Sequence, residues 1–263
     1  MRKIKEIILW ASILLYLVFT LSFTGEKRRN TICSKMRVHI VDSLQDQFIT
    51  EKGVEDYIYD LDLKVLGEPV THINIKKLEG YLNAREKIKK TEVYFTGNGD
   101  LHIRIDQRNP IVRIINRRGQ SYYIDDGGAI ISLSGNYTSH VLVATGEITE
   151  FFEFPGADRL NCPDINASDK HYILCEIYEL ARFIHNSPFW DSQIEQVHRN
   201  EKGEYELIPR VGAHLILFGE FARYREKFRN LKAFYEKGLN NVGWNKYLKI
   251  NLKYDNQIIC TKI

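Results

Sequence analysis

The alternation of apolar and polar residues changes period several times along the chain, and each change marks an element. Ile7 to Phe23, IILWASILLYLVFTLSF, carries no charge and follows Arg2, Lys3 and Lys5. As a helix at about 1.5 Å per residue this run reaches roughly 25 Å, a little short of a ~30 Å hydrocarbon core unless Ile4 or Thr24 extends it. It predicts one transmembrane helix over residues 7–23, after a cytoplasmic tail of residues 1–6. A cleaved signal peptide would need a small-x-small site, and Ser22-Phe23-Thr24 is a poor one. An amphipathic core helix would show a polar stripe, whereas only Ser12, Thr20 and Ser22 are polar.

Past a polar linker over 24–35, Met36 to Ile40 reads as a short strand. Two patches at helical spacing follow: Thr50 to Leu61, with Val54, Tyr57, Ile58 and Leu61, and Lys76 to Ile88, with Leu78, Tyr81 and Leu82. The period then becomes two. Val93 and Phe95 lead into the turn signal Gly97-Asn98-Gly99-Asp100, after which Leu101, Ile103 and Ile105 alternate with His102, Arg104 and Asp106. Strand, helix, helix, strand, strand predicts a small sheet covered on one side by two helices, a module spanning 36–110.

From Ile111 strands dominate, in a second domain spanning 111–263. Ile111 to Ile115, Ser121 to Ile124 and Ala129 to Leu133 are separated by Arg117-Arg118-Gly119 and Asp125-Asp126-Gly127-Gly128, which predicts a β-meander. A helix capped by Ser168 runs to about His185 and ends before Pro188, with Ile173, Leu174, Ile177, Leu180, Ala181 and Ile184 along one face. Strands are expected at Ile194 to His198, Tyr205 to Ile208 and His214 to Phe218. Phe221, Tyr224, Phe228, Leu231 and Tyr235 mark a second helix that stops near Gly238. Strand patterns at Tyr247 to Tyr254 and Ile258 to Cys260 complete an α+β chain with two helices flanking the strand-rich domain.

Charge and chemistry narrow the function. Against 37 Lys+Arg stand 34 Asp+Glu, a net charge of +3, so the basic excess that phosphate neutralisation requires is missing and no nucleic acid is expected. The basic residues Lys27, Arg28, Arg29, Lys35 and Arg37 balance those before the apolar run, so the positive-inside count does not set the orientation. A tail of six residues against a folded body of about 240 favours a cytoplasmic N-terminus. Eight histidines are scattered singly, no HExxH or CxxC spacing occurs, and Cys33, Cys162, Cys175 and Cys260 are too dispersed for a zinc site or a disulfide framework. Three full pairings are open to them, and for Cys175, on the apolar face of a helix, a free inert thiol is the ordinary reading. Asn136-Tyr137-Thr138 and Asn166-Ala167-Ser168 match the glycosylation triplet at chance frequency. Asp125 and Asp126 could be paired catalytic carboxylates, but acids before Gly-Gly are what a tight turn prefers. Arg113, Arg117 and Arg118 read as a solvated sheet face, with lipid headgroups a weaker option. No catalytic residue, metal site or cofactor is assigned.

Three stretches in order resemble the FtsQ/DivIB family of bacterial cell-division proteins. Leu101-His102-Ile103-Arg104-Ile105-Asp106-Gln107-Arg108-Asn109-Pro110 is similar to the alternating strand with an (E/Q)RxP element that joins the family's POTRA module to its β domain. Tyr122-Tyr123-Ile124-Asp125-Asp126-Gly127-Gly128 resembles its (Y)(V/I)DxxG hairpin. Leu217-Phe218-Gly219, Glu226-Lys227-Phe228 and Ile250-Asn251-Leu252-Lys253-Tyr254 resemble its LG, K(L/F) and (I/V)DLRY pattern, although Asn251 and Lys253 replace the usual Asp and Arg. The family's proline before the strand that follows its first hairpin is also missing, with Val141 to Gly146 standing there. The resemblance implies structural roles for Arg108, Pro110, Asp125, Gly128 and Gly219.

It further implies a non-catalytic scaffold in the cell inner membrane, anchored in the lipid bilayer through residues 7–23. The ectodomain would be periplasmic and enriched at the division septum. There it would link FtsB/FtsL-like coiled-coil membrane proteins to septal peptidoglycan synthesis. Ile258 to Cys260 is last in sequence and, if last in its sheet, would leave backbone groups unpaired. The partner site implied is Lys253, Tyr254, Asn256, Gln257, Ile258, Ile259 and Cys260, with a covering tail of Thr261 to Ile263 as the competing arrangement. Two other classes stay open: a membrane-anchored cell-envelope hydrolase with a dispersed active site around Asp125 or Asp126, and a POTRA-type assembly or secretion factor.

Overall fold

A computed structural model describes residues 8–20, 31–41, 48–61, 63–135, 137–154, 159–162, 172–255 and 257–263. Ile7 and residues 21–23 of the expected span, the Ser168 cap, Asn136, the 166–168 triplet and Asn256 lie outside them. The chain divides into two compact units; the second begins at Arg108 and also takes in Arg85–Lys87.

In the first unit, helix α1 covers residues 8–20 and exposes its apolar side chains, Trp10, Leu15 and Phe19 among them. Among the described residues no helix is long and apolar enough to cross a membrane. The transmembrane helix expected over 7–23 is not found among the described residues, which take in only 8–20 of that run.

Strand β1 (Met36–Val41), helices α2 (Glu51–Asp60) and α3 (Ile75–Asn83) and strands β2 (Ile88–Phe95) and β3 (Leu101–Gln107) form the predicted module. Both helices start on side-chain caps: Thr50 accepts from the Gly53 N–H, and Asn74 from the Lys77 N–H. The helix-helix crossover lets β1 lie parallel to β3, and the hairpin sets β2 antiparallel on its other side, giving the order β1-β3-β2. Val38, Ile40, Ile103 and Ile105 from the sheet meet Val54, Ile58, Leu78 and Leu82 from the helices in one buried core. The expected second helix is too long at its end. It closes at Asn83, because Ile88 is fully buried and takes its place as the first residue of β2.

The second unit is built on nine strands: β4 (Pro110–Ile115), β5 (Ser121–Asp125), β6 (Ile130–Ser132), β7 (Leu142–Gly146), β8 (Ile194–Arg199), β9 (Tyr205–Pro209), β10 (Leu215–Gly219), β11 (Tyr247–Asn251) and β12 (Ile259–Lys262). Their order is β12-β11-β10-β9-β8-β7-β4-β5-β6. The meander β4-β5-β6 is present as expected, and β7 returns along its inner edge to pair in parallel with β4 and β8. One row of paired residues crosses the sheet: Tyr122, Ile114, Ala144, Val197, Leu207, Ile216, Ile250 and Cys260. All but Cys260 are buried, and all pack in a single core with Ile173, Leu174, Ile177 and Leu180 of α4 (Tyr172–His185) and Phe228 and Leu231 of α6 (Tyr224–Phe234).

Three expectations change here. Pro188 does not merely stop α4: Ser187 accepts from the Trp190 N–H and caps a further helix, α5 (Pro188–Gln193), for which proline at the first position is preorganised. Gly238 does not end α6, which continues as a π-helix (Tyr235–Leu239) and a last turn, α7 (Asn240–Val242). A Cβ at Gly238 would lie 2.9 Å from the Phe234 ring, so this glycine makes room for an aromatic one turn earlier. Cys175 is not a free thiol, since it forms a disulfide with Cys162.

His214, 3% exposed, places its Nε2 3.0 Å from the Tyr235 hydroxyl of the π-helix. Burial pushes its pKa below the usual 6.5. The unfolded chain then binds a proton that the folded one refuses, so stability should fall as pH drops below about 6.5, by at most ~1.4 kcal/mol per pH unit, and level off above it. Urea unfolding at pH 7.5 and 5.5 should show a smaller difference in His214→Gln than in the natural chain; equal differences would remove His214 as the source.

Candidate functional site

Two places in the second unit gather the residues singled out by sequence. The first is the β5–β6 turn. Asp125 closes β5 and is fully buried, with its Oδ1 accepting from the Gly127 N–H at 2.9 Å and the Ala129 N–H at 2.7 Å. Its Oδ2 accepts from Nη1 of Arg108 at 2.8 Å, and the Arg108 side chain is itself only 14% exposed. Arg108 thus joins the (E/Q)RxP-like element to the hairpin seventeen residues later. Pro110 opens β4 opposite Asp125, at a strand start where its missing N–H costs no ladder bond. Gly128 sits at φ 80°, a conformation that glycine adopts without steric penalty, whereas Gly127 does not take a positive φ.

Two further holders of this turn carry no sequence signal. The Tyr178 hydroxyl of α4 donates to the Asp126 carbonyl at 2.8 Å, and the Leu160 N–H donates to the Gly128 carbonyl at 2.8 Å. With every Asp125 oxygen engaged in holding backbone and a guanidinium, the pair Asp125–Asp126 has the geometry of a structural turn. Arg113 and Arg117 likewise bond to neighbours, Ser121 and Glu147, while Arg118 lies over the Phe151 ring.

The second place is the end of the sheet at β12. Its only strand partner among the described residues is β11, so one whole edge is open. Thr261 and Lys262 belong to the strand, and the Ile263 N–H donates to the Lys246 carbonyl at 3.3 Å, so the tail extends the ladder and does not fold back over the edge. Antiparallel alternation from that bond turns the N–H groups of Ile259 and Thr261 toward β11 and those of Cys260 and Lys262 outward. Ile259 is 46% exposed and Tyr254 51% exposed, while Cys260 leans on the core.

Beside this edge, Arg223, Lys227, Asn230, Leu252, Tyr254 and Ile258 line an open cleft between the start of α6 and the β11–β12 connection. Lys253 departs from it: its Nζ pairs with Glu204 at 2.5 Å, and its stem lies against Gly219, where a Cβ would approach within 2.9 Å. Arg223, the one non-glycine with positive φ among the described residues, pairs with Asp255. Lys227 donates to the Glu220 carbonyl, and burial, followed by the charge of Arg223, holds its pKa below the ordinary lysine value. Glu226 and Asp255 line the cleft as well, so its two bases stand beside two acids. Gln257 and Ile258 border it, and Asn256 lies outside the described residues. Arg223 and Asp255 are 32 residues apart, a separation at which no sequence pattern announces a pair.

A helix-covered three-stranded module followed by a large sheet with one uncovered end defines a two-module scaffold. Residues 31–106 match the POTRA-like domain, and residues 109–261 match the family described as FtsQ/DivIB, C-terminal related. The second match takes in more than half of the chain, which therefore belongs to the FtsQ/DivIB family, whose members are generally non-catalytic division proteins. These domains point to a cell-division scaffold role involving other division proteins. No curated protein matches the chain at a significant level.

Removing Asp125 should leave Arg108 charged, nearly buried and unpaired. Asp125→Ala is expected to cost about 3–5 kcal/mol in urea unfolding, and Gly128→Val to lower the folded yield, whereas Asp126→Ala should stay within about 0.5 kcal/mol. A mild Asp125→Ala would show that the turn does not depend on the ion pair.

Proposed function

We propose that this chain is a membrane-anchored, non-catalytic scaffold of the bacterial septal division complex, which captures an FtsB/FtsL-like partner by adding that partner's strand to β12. The open edge of β12 carries the reading. A strand laid on it would draw affinity from the outward backbone groups of Cys260 and Lys262, and specificity from side chains at alternate positions. A side chain flanking that strand would reach the adjoining cleft, where Tyr254 offers ring area at the rim. Through this contact the scaffold would connect its partners to septal peptidoglycan synthesis.

The proposed anchor is residues 7–23, with the N-terminus in the cytoplasm and the chain beyond the anchor in the periplasm, at the inner membrane of the septum. The Cys162–Cys175 disulfide supports this placement, because such bonds persist outside the reducing cytosol. The hydrolase reading loses its best candidate in Asp125, which is buried and committed to Arg108 and the turn.

The partner site is tested by pull-down of an FtsB-like protein with the full chain. Lys262→Pro deletes an outward donor from an exposed side-chain position, and Tyr254→Ala removes contact area; each should weaken capture at least several-fold while keeping the natural melting temperature. Ile259→Pro serves as contrast, since its N–H faces β11 and its loss should lower the melt as well. Undiminished capture by both Lys262→Pro and Tyr254→Ala would exclude this edge. Topology is read separately, by adding protease to spheroplasts. Epitopes after Met36 should be digested, and their protection, or a mature N-terminus near Gly25, would overturn the proposed anchor.

A further inference from the structure

The Asp125–Gly128 turn is held from two sides, and the same covalent bond joins the two holders. On one side, residues 159–162 cross the turn: Arg159 bridges to Ala129, Leu160 donates to the Gly128 carbonyl, and the Arg159 guanidinium lies 2.7 Å from where a Cβ of Gly127 would stand. On the other, Tyr178 of α4 donates to the Asp126 carbonyl. Cys162 ends the crossing segment, Cys175 lies on α4 one turn before Tyr178, and the two are disulfide-bonded with Cα atoms 5.7 Å apart.

Without that bond the crossing segment keeps few ties to the unit. Among the described contacts these are one isolated bridge, to which the Leu160–Gly128 hydrogen bond belongs, and the burial of Leu160, and a short pairing of this kind opens readily. The turn itself would keep its Asp125 bonds but lose the cover over Gly127 and Gly128.

We propose that Cys162 and Cys175 are a substrate site for thiol–disulfide exchange with a protein disulfide outside the cytosol, and that the bond so formed clamps residues 159–162 over the turn that holds Arg108. The half-buried Cys162 is the sulfur that an incoming disulfide can reach, whereas Cys175 is 4% exposed. The Cys162 thiolate attacks the donor and releases one donor thiolate, leaving a mixed disulfide. The Cys175 thiolate then attacks the Cys162 sulfur and displaces the second donor sulfur. The pair loses two electrons and two protons, and the donor leaves as a dithiol. Cys33 and Cys260 are free thiols in the structure, and burial raises the pKa of both.

The test uses the full chain in detergent, reduced and then reoxidised with oxidised glutathione as the probe disulfide. Under denaturing conditions, the oxidised chain should take up maleimide at two sulfurs, Cys33 and Cys260, and at four only after reduction. Amide hydrogen exchange at Leu160, Gly127 and Ala129 should be faster in the reduced chain by about tenfold or more, and return on reoxidation, while Val93 in the first unit stays unchanged. The Cys162→Ser/Cys175→Ser variant should match the reduced chain, and Cys33→Ser/Cys260→Ser the oxidised one. Four sulfurs modified without reduction, a different pairing in peptide maps, or equal exchange at Leu160 in both redox states would each overturn the proposal. None of these readouts involves partner capture, so the clamp and the β12 docking site stand or fall separately.

Discussion

The register across eight of the nine described strands places Tyr122, Ile114, Ala144, Val197, Leu207, Ile216, Ile250 and Cys260 side by side, and the rest of the second unit is arranged to keep this row dry. Side chains alternate faces along a strand, so a slip of one residue would turn a member of the row to solvent, and in β8 and β11 would bring Gln196 or Lys249 into the core. Burying a Leu or Ile is worth about 1.5–3 kcal/mol, enough to make each slip unfavourable on its own. The two long helices then need only an apolar stripe, which α4 and α6 supply with Ile173, Ile177, Leu180, Phe228 and Leu231. Because the row stops at Cys260, beside which no further strand lies among the described residues, the same constraint that builds the core also leaves an edge.

The Arg108–Asp125 pair works differently. Taking two charges out of water is costly, and here the cost is offset by the two backbone N–H groups that Asp125 also accepts and by the close contact with the guanidinium. The result is directional where the row is not. It ties the segment between β3 and β4 to one turn of the β5–β6 hairpin, and a carboxylate so used is withdrawn from chemistry. That explains how a motif that looks like an acid pair in sequence serves a protein whose family is generally non-catalytic.

The open face of the edge is also a liability that most proteins blunt. Here the neighbouring charges Arg223, Lys227 and Asp255, the last with its pKa lowered by its bond to Arg223, surround the connection leading into β12. Charges beside an open edge discourage indiscriminate strand addition.

What could be read directly from residue order was local. The period-two run at Val93 to Ile105, the strand meander from Ile111 to Leu133 and the Asp-Asp-Gly-Gly turn act over a few residues, and the structure holds each of them, whereas the caps Thr50 and Asn74 emerged only with the helices in place. Local signals misled where packing competes with propensity: Ile88 follows a charged run that reads as helix but is needed in the core, and Gly238 reads as a stop but spares space for Phe234. Contacts between distant positions left no trace in residue order. The parallel return of β7 to β4, the Cys162–Cys175 bond, the Tyr178 and Leu160 holds on the turn and the Arg223–Asp255 pair depend on where helices and strands come to rest. Hydrophobic period specifies which face of an element is buried, but only the assembled core decides which two faces meet, and with them which charges and sulfurs become neighbours.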